Sequence, residues 1–569
     1  MPTISIKKKD LESLIGTSFL LPDLEHHLQL VKGELKGYEA ETDELKIELS
    51  DSNRPDLWCC EGIARQIKGK LTGAWEDYGF FYADARDSAG EIIVSAEMRD
   101  IRPYVGGFIA TGVTVDDEML AQMIQTQEKI SEIFGSKRKR ISIGIYSLSR
   151  INFPVHYKAI GPEELRFIPL GFDEEMTPQE ILEKHPKGQA YRDILKGMHK
   201  YPILIDSKET VLSFPPVINS REVGEVRAGD SELFIEVTGS DMRLVLLVLN
   251  VLSVNIHDRG AKIDMVEVKY PYDTGFGDKL SIPCDFAEHV SLTVDDAERV
   301  IGERLNLEDI SSLLDSYGHW VKREGDMILV TPPPYRDDIM HPVDLCEDIA
   351  ISRGYGHFKP VMPSQMTVGT LSEIEKFSDR IRGYMVGAGF QEIISNILTS
   401  KEDNMYKMGL ENEKVIEVDN IMSQSYSVLR HWILPSLLRA ESASSESFYP
   451  HRIFEAGESA VYDESENLSA RTAIKCAALI SHHTANFSEV HSILDTLMYY
   501  LQMDYRLAPG EHPSFINGRM GWIHAGENAI GIIGELHPKV LTAWDIHAPC
   551  SAFEIAVDKI LALYQSLTR

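Results

Sequence analysis

Hydrophobic and polar positions change period several times along this chain, and each change marks an element. Thr3–Ile6 reads as a strand, Lys9–Ile15 as a short helix, and Leu45–Leu49, apolar at every second position, as a half-buried strand. Asn53-Arg-Pro-Asp56 is a turn ahead of a helix from Leu57 to Ile67. Glu91–Ser95 is a strand, Asp117–Phe134 a helix and Ile141–Tyr146 a strand. The strand that opens at Glu232 turns through Thr238-Gly239 into an apolar helix from Asp241 to His257, with Ser240 or Asp241 as its cap. Such a turn is either an ordinary capped junction or a place where backbone N–H groups meet an anion or polar ligand. Two short helices, Thr293–Ile301 and Leu307–Leu314, precede a strand over Asp326–Thr331. The triple proline Pro332–Pro334 stops that strand, and a helix follows from Val343 to Arg353, ended by Gly354. Ser372-Glu-Ile-Glu375 is a capping box for a helix with Ile374, Phe377, Ile381 and Tyr384 on one face, ended at Gly387-Ala-Gly389. Strands follow at Ile453–Glu455, Ile474–Leu479, Met520–His524 and Ala529–Ile533, the last two joined by a hairpin.

At 569 residues the chain is too long for one core. The pattern divides it at 1–85, 90–270, 280–358 and 365–569: an α/β domain, a second α+β domain, a winged-helix-like module and a helix-plus-antiparallel-sheet domain. A net charge of −31 excludes a general nucleic-acid binder, so any RNA contact needs local basic patches or a basic partner. Lys137-Arg-Lys-Arg140 is one such patch, or else a solvated loop. The six cysteines form no zinc spacing and read as reduced thiols of a cytoplasmic protein, with Cys59 and Cys60 facing core and surface alternately. The longest apolar run, Leu244–Ile256, is broken by Asn250 and Asn255 and reads as a buried helix rather than a membrane span. His482-His483 lie in a polar stretch and read as solvated. No HExxH, GxSxG, Walker A or post-strand GxGxxG motif is present.

The densest chemistry follows the prolines. Asp344, Glu347 and Asp348 stand at i, i+3 and i+4, and Asp338 lies just upstream. Four carboxylates near a helix N-terminus are either solvated charges favoured by the dipole or ligands for a hard cation such as Mg²⁺.

The pattern PPPYRDDI…DLCEDIAISRGY over Pro332–Tyr355 resembles the signature of the phenylalanyl-tRNA synthetase β-subunit family. The likeness continues in NRPDLWCCEGIARQI from Asn53, FPPVINS from Phe214, LRHWILPSLL from Leu429 and GELHPKVL from Gly534, in family order along nearly the whole chain. Within the family it is closer to the short archaeal and eukaryotic-cytosolic form, judging by KRKRISIGIYSLSRI and Arg166–Gly188, with no inserted oligonucleotide-binding barrel or C-terminal anticodon-binding domain. The resemblance implies an α+β multidomain fold whose last domain is a class II synthetase-like, pseudo-catalytic sheet. No F-R-x-E strand and no glycine-rich strand leading to a helical Arg is found, Arg439-Ala-Glu441 coming closest, so the ATP clamp is missing. It implies a subunit of an aminoacyl-tRNA ligase, a cytoplasmic heterotetramer of two α and two β chains with no membrane role. In it α activates phenylalanine and charges tRNA(Phe), while β hydrolyses mischarged Tyr-tRNA(Phe). It also implies Mg²⁺ at Asp338, Asp344, Glu347 and Asp348, and an editing pocket at Leu204, Ser213, Asn219, Glu236 and Thr238. A non-catalytic scaffold and a free-standing RNA-binding paralogue are the rival functions.

Overall fold

The computed structural model describes residues 2–83, 88–325, 327–364, 367–444 and 446–568. They form an α+β assembly in two compact units, Met1–Val361 and Met362–Arg569.

The first unit opens with a three-stranded antiparallel sheet in which Glu44–Leu49 lies between Thr3–Lys7 and Gly33–Glu39. Its helix starts at Cys60, after a 3₁₀ turn at Pro55–Leu57, rather than at Leu57. Asn-Arg-Pro-Asp is more than a turn: the Arg54 Nε and Nη2 donate to the two oxygens of Asp56 at 2.8 and 2.7 Å, with both residues buried. Gly62 is required beneath it, because a Cβ there would run into the Asp56 carbonyl. Cys59 and Cys60 are both buried, correcting the alternation expected for them. Cys59 caps the helix, its sulfur accepting from Gly62 N at 3.4 Å and from Asn255 Nδ2 at 3.1 Å.

A ten-stranded sheet spans the next two hundred residues, and the strand Glu232–Gly239 lies inside it between Tyr104–Thr111 and Ile141–Ser147, antiparallel to both. The apolar run becomes the helix Met242–Asp258, capped by Asp241 and packed on Tyr104–Thr111 and Glu232–Gly239. Its asparagines are tolerated because they are paired: Asn250 Nδ2 donates to the carbonyls of Cys284 and Pro334, and Asn255 Oδ1 accepts from Arg65. Among the described residues no helix is long and apolar enough to cross a membrane.

A third, three-stranded sheet orders Val290–Thr293, Met327–Thr331 and Trp320–Glu324, covered by the helices Val294–Ile301, Leu307–Asp315 and Pro342–Arg353 in winged-helix-like fashion. Asp326, where its middle strand was expected to start, lies outside the described residues.

The second unit is built on a seven-stranded sheet, antiparallel except for the pairing of Gln391–Glu392 with His451–Tyr462. Separate apolar cores fill its two faces, one under the helices Glu373–Gly387 and Phe487–Tyr500, the other under Leu434–Ala443. The hairpin falls between Phe515–Ala525 and Asn528–Leu536, where Gly526 takes φ +58°. His482 is not simply solvated: its Nε2 lies 2.8 Å from the Glu489 carboxylate.

Candidate functional site

Period-two alternation sets the site. On Glu232–Gly239, positions 234, 236 and 238 share a face, and register puts Tyr146, Gly144 and Ser142 opposite them. Glu236 therefore sits between glycines, Gly144 on one neighbouring strand and Gly107 on the other. A Cβ at Gly144 would run into both the Tyr146 hydroxyl and Glu236 Oε1, so only glycine leaves the carboxylate its place. Tyr146 donates to Glu236 Oε1 at 2.8 Å.

Glu236 and Ser213 reach a cleft of about 240 Å³ whose walls are largely apolar, Met123, Ile124, Phe214 and Pro215 among them. Asn219 also lines it, paired in register with Ser213, and Gly224 packs against the Asn219 side chain. Glu236 Oε2, Ser213 Oγ and Arg138 Nε are buried without a hydrogen-bond partner among the described residues. Unmet polar atoms around an apolar cleft are what a ligand's polar group would satisfy. Burial pushes the Glu236 carboxyl up to about 8, against the opposing pull of the Tyr146 hydroxyl and the Arg102 charge. At neutral pH it is largely a neutral acid, able to donate as well as accept.

The five residues expected in the pocket divide. Ser213, Asn219 and Glu236 line the cleft; Leu204 and Thr238 do not. Leu204 is fully buried in the core beside Ser213. Thr238 is behind the cleft: its hydroxyl accepts from Arg102 Nε at 3.0 Å and lies 2.9 Å from Ser142 Oγ, so it meets the cleft only through Ser142. Arg102, Ser142 and Tyr146 escaped the sequence reading, and Arg138 entered it only as part of a basic patch. For Ser142, Gly144 and Tyr146 a signal existed, since they are the small or polar alternate positions of an otherwise apolar strand.

The basic run is used more narrowly than either expectation. Ser136, Lys137 and Arg138 all take left-handed φ, from +53° to +63°, a conformation that costs a non-glycine residue about 1–2 kcal/mol. That turn aims Arg138 inward. Its Nη1 donates to the carbonyls of Pro216 and Val217, and its guanidinium lies 4.4 Å from the centre of the Tyr191 ring. Arg140 pairs with Asp241, while Lys137 and Lys139 stay exposed.

The four carboxylates after the triple proline do not gather. Asp338 is clasped by Arg336, at 3.0 and 2.6 Å, and faces Arg54 at 3.8 Å. Asp348 accepts from Arg336 at 2.8 Å and lies 2.7 Å from His319 Nε2. Asp344 folds back to accept from Met340 N and His341 N, completing a capping box. Glu347 points outward and pairs with Lys32. A carboxylate at a helix N-terminus is stabilised by free N–H groups, and a buried one by arginine, so each has a partner before a cation arrives. No group of three or more His, Cys, Asp or Glu side chains among the described residues stands ready for a metal ion. These residues do not fit an Mg²⁺ held by this chain alone.

Two family models match the chain: the phenylalanyl tRNA synthetase beta chain CLM domain over residues 359–557 and the tRNA synthetase B5 domain over 290–355. The phenylalanine–tRNA ligase beta subunit of Borrelia hermsii is 39% identical over 564 residues, covering 99% of this chain and 100% of that protein. The chain belongs to the phenylalanine–tRNA ligase β-subunit family. As a member it is a subunit of an aminoacyl-tRNA ligase. The Borreliella afzelii protein is likewise 39% identical, over 567 residues, with the same coverage. An N-terminal fragment of the phenylalanyl-tRNA synthetase β subunit from Pyrococcus horikoshii, a crystal structure, is similar with a TM-score of 0.58 at 37% identity. It covers 63% of this chain and 100% of the fragment. These relatives do not confirm the expected archaeal or eukaryotic-cytosolic affiliation, since the proteins that align end to end are bacterial while the similar solved fragment comes from Pyrococcus horikoshii.

Proposed function

We propose that this chain supports the charging of tRNA(Phe) by an α partner, two α with two β chains, and hydrolyses Tyr-tRNA(Phe) in the cleft of its 90–270 domain. The observation that carries the reading is the pair of unpartnered polar atoms, Glu236 Oε2 and Ser213 Oγ, buried against an apolar cleft. Tyrosine is phenylalanine plus one hydroxyl, which an apolar synthetic pocket rejects poorly, whereas a site with a buried hydrogen-bonding group selects for it. Glu236, mostly neutral, would donate from Oε2 to the phenol; a positioned water would attack the ester carbonyl. The C–O bond to the ribose then breaks and the ribose oxygen takes a proton. Ser142 and Ser213 line the cleft, but among the described residues no His, Lys or carboxylate is hydrogen-bonded to either hydroxyl to activate it, so positioning carries the rate. Arg138 and Lys187, which also line it, suit the phosphates of the tRNA end.

The test is deacylation by the α–β complex. Glu236→Ala is expected to slow clearance of Tyr-tRNA(Phe) ten- to a hundredfold, about 1–3 kcal/mol, with phenylalanine charging intact. Wild-type clearance by the variant would leave the cleft a scaffold.

Magnesium belongs to this reading only as an ion shared with the partner chain. Glu347, with half of its side chain exposed, is the carboxylate of the four turned outward for it. Glu347→Gln is then expected to raise the magnesium concentration needed for charging by the complex. An unchanged requirement would make the acidic stretch purely structural.

A further inference from the structure

The seven-stranded sheet of the second unit carries another cleft, which the proposed function does not use. It measures about 360 Å³, within the usual range for small-ligand sites, about 300–1,000 Å³. Part of its lining is a continuous run of rings. His431 and Trp432 stack with centres 5.5 Å apart, and His512 meets Trp432 edge-on at 5.7 Å and Trp522 at 6.1 Å. Gly510 allows this arrangement, since a Cβ there would run into the Trp522 indole.

Charged groups supply the rest, and their bonds show which remain available. Glu554 is spent on the protein: Oε2 accepts from the Ile433 and Leu434 amides at 2.8 and 3.0 Å, and Oε1 from Lys475 Nζ at 3.0 Å. Asp558 is spent too, on Arg471 and on the Lys559 amide. Arg471 is paired with Asp558, but the two lysines are not fully used. Lys475 uses two of its three protons, on Glu554 and on the His431 carbonyl. Lys559 Nζ donates to the Ala529 carbonyl at 3.1 Å and faces no carboxylate within ion-pair distance among the described residues. The cleft therefore offers ring faces and cationic donors but no free carboxylate to receive a ligand's ammonium, which disfavours amino acids.

We propose that this cleft binds a planar aromatic anion of nucleoside-monophosphate size, its ring against the Trp–His wall and its phosphate at Lys475 and Lys559. Stacking accepts any flat heterocycle, and ammonium groups bind phosphate as point charges, so ring and phosphate must both contribute. The proposal concerns binding alone and includes no chemical step.

Calorimetric titration of the full-length chain tests it with three probes: AMP, adenosine and inorganic phosphate. AMP is expected to bind saturably, and the other two at least about tenfold more weakly. Lys559→Ala should weaken AMP about tenfold while leaving adenosine unchanged, and Trp522→Ala should weaken both. These two side chains are partly exposed and safe to truncate; Lys475 is avoided, because its loss would strand Glu554 in the interior. Absence of saturable AMP binding up to about 5 mM, or equal AMP affinity in wild type and both variants, would overturn the proposal.

Discussion

Arg336→Met is expected to cost the first unit about 3–5 kcal/mol, a large part of the stability of any domain. Arg336 is the hub of a buried ionic network. It bonds both oxygens of Asp338 and one of Asp348, with only 2% of its side chain exposed. Methionine would fill similar space but strand two buried carboxylates, against Arg54 at 3.8 Å and a histidine that burial keeps from charging. Urea unfolding of the purified chain measures the loss; a change under about 1 kcal/mol would show that the network contributes little. The network also has a pH signature. Burial opposes its charge, but Arg336 and His319 overcome this and hold Asp348 far below the ordinary 3.8. A depressed carboxylate stabilises the fold above its unfolded pKa. That contribution is fully present at neutral pH and is lost as pH falls below about 3.8 toward the folded-state value.

Isolated from any partner, the chain is expected to form no phenylalanyl-adenylate, and to support it once an α subunit is added. Adenylate formation needs arginines free to meet ATP phosphates as charge develops. In the second unit Arg430, Arg439 and Arg452 are already engaged. Arg430 is buried and donates to Glu455 at 2.8 Å, to Ser395 Oγ at 2.7 Å and to the Glu458 carbonyl at 2.8 Å. Arg439, in the one motif that approached the missing signature, pairs with Asp403, and Arg452 with Glu489. Pyrophosphate exchange by the pure chain at a rate comparable to the complex would overturn this.

The pattern of the chain alone determined the elements and the family. The helix Met242–Asp258, the hairpin at Gly526 and the capped strand-to-helix turn after Thr238 are local consequences of apolar period, glycine and a capping aspartate, so they were legible in sequence. Of the cleft, Ser213, Asn219 and Glu236 were legible through a family likeness in their strands, not through their own spacing.

Tertiary structure decided the rest. Whether Thr238 meets a ligand depends on Arg102, 136 residues earlier in sequence, occupying its hydroxyl. Whether Arg138 is solvated depends on three left-handed residues that turn it onto the 216–217 carbonyls. Whether Asp338, Asp344, Glu347 and Asp348 form one site depends on which donors arrive first. Helical spacing brought the backbones of Asp344, Glu347 and Asp348 together, with Asp338 just upstream, yet Arg336, His319, Lys32 and two backbone amides drew the carboxylates apart. Spacing along a helix fixes where a side chain starts. The partners that satisfy its charge in a low-dielectric interior come from distant segments, and only the folded chain brings them within reach.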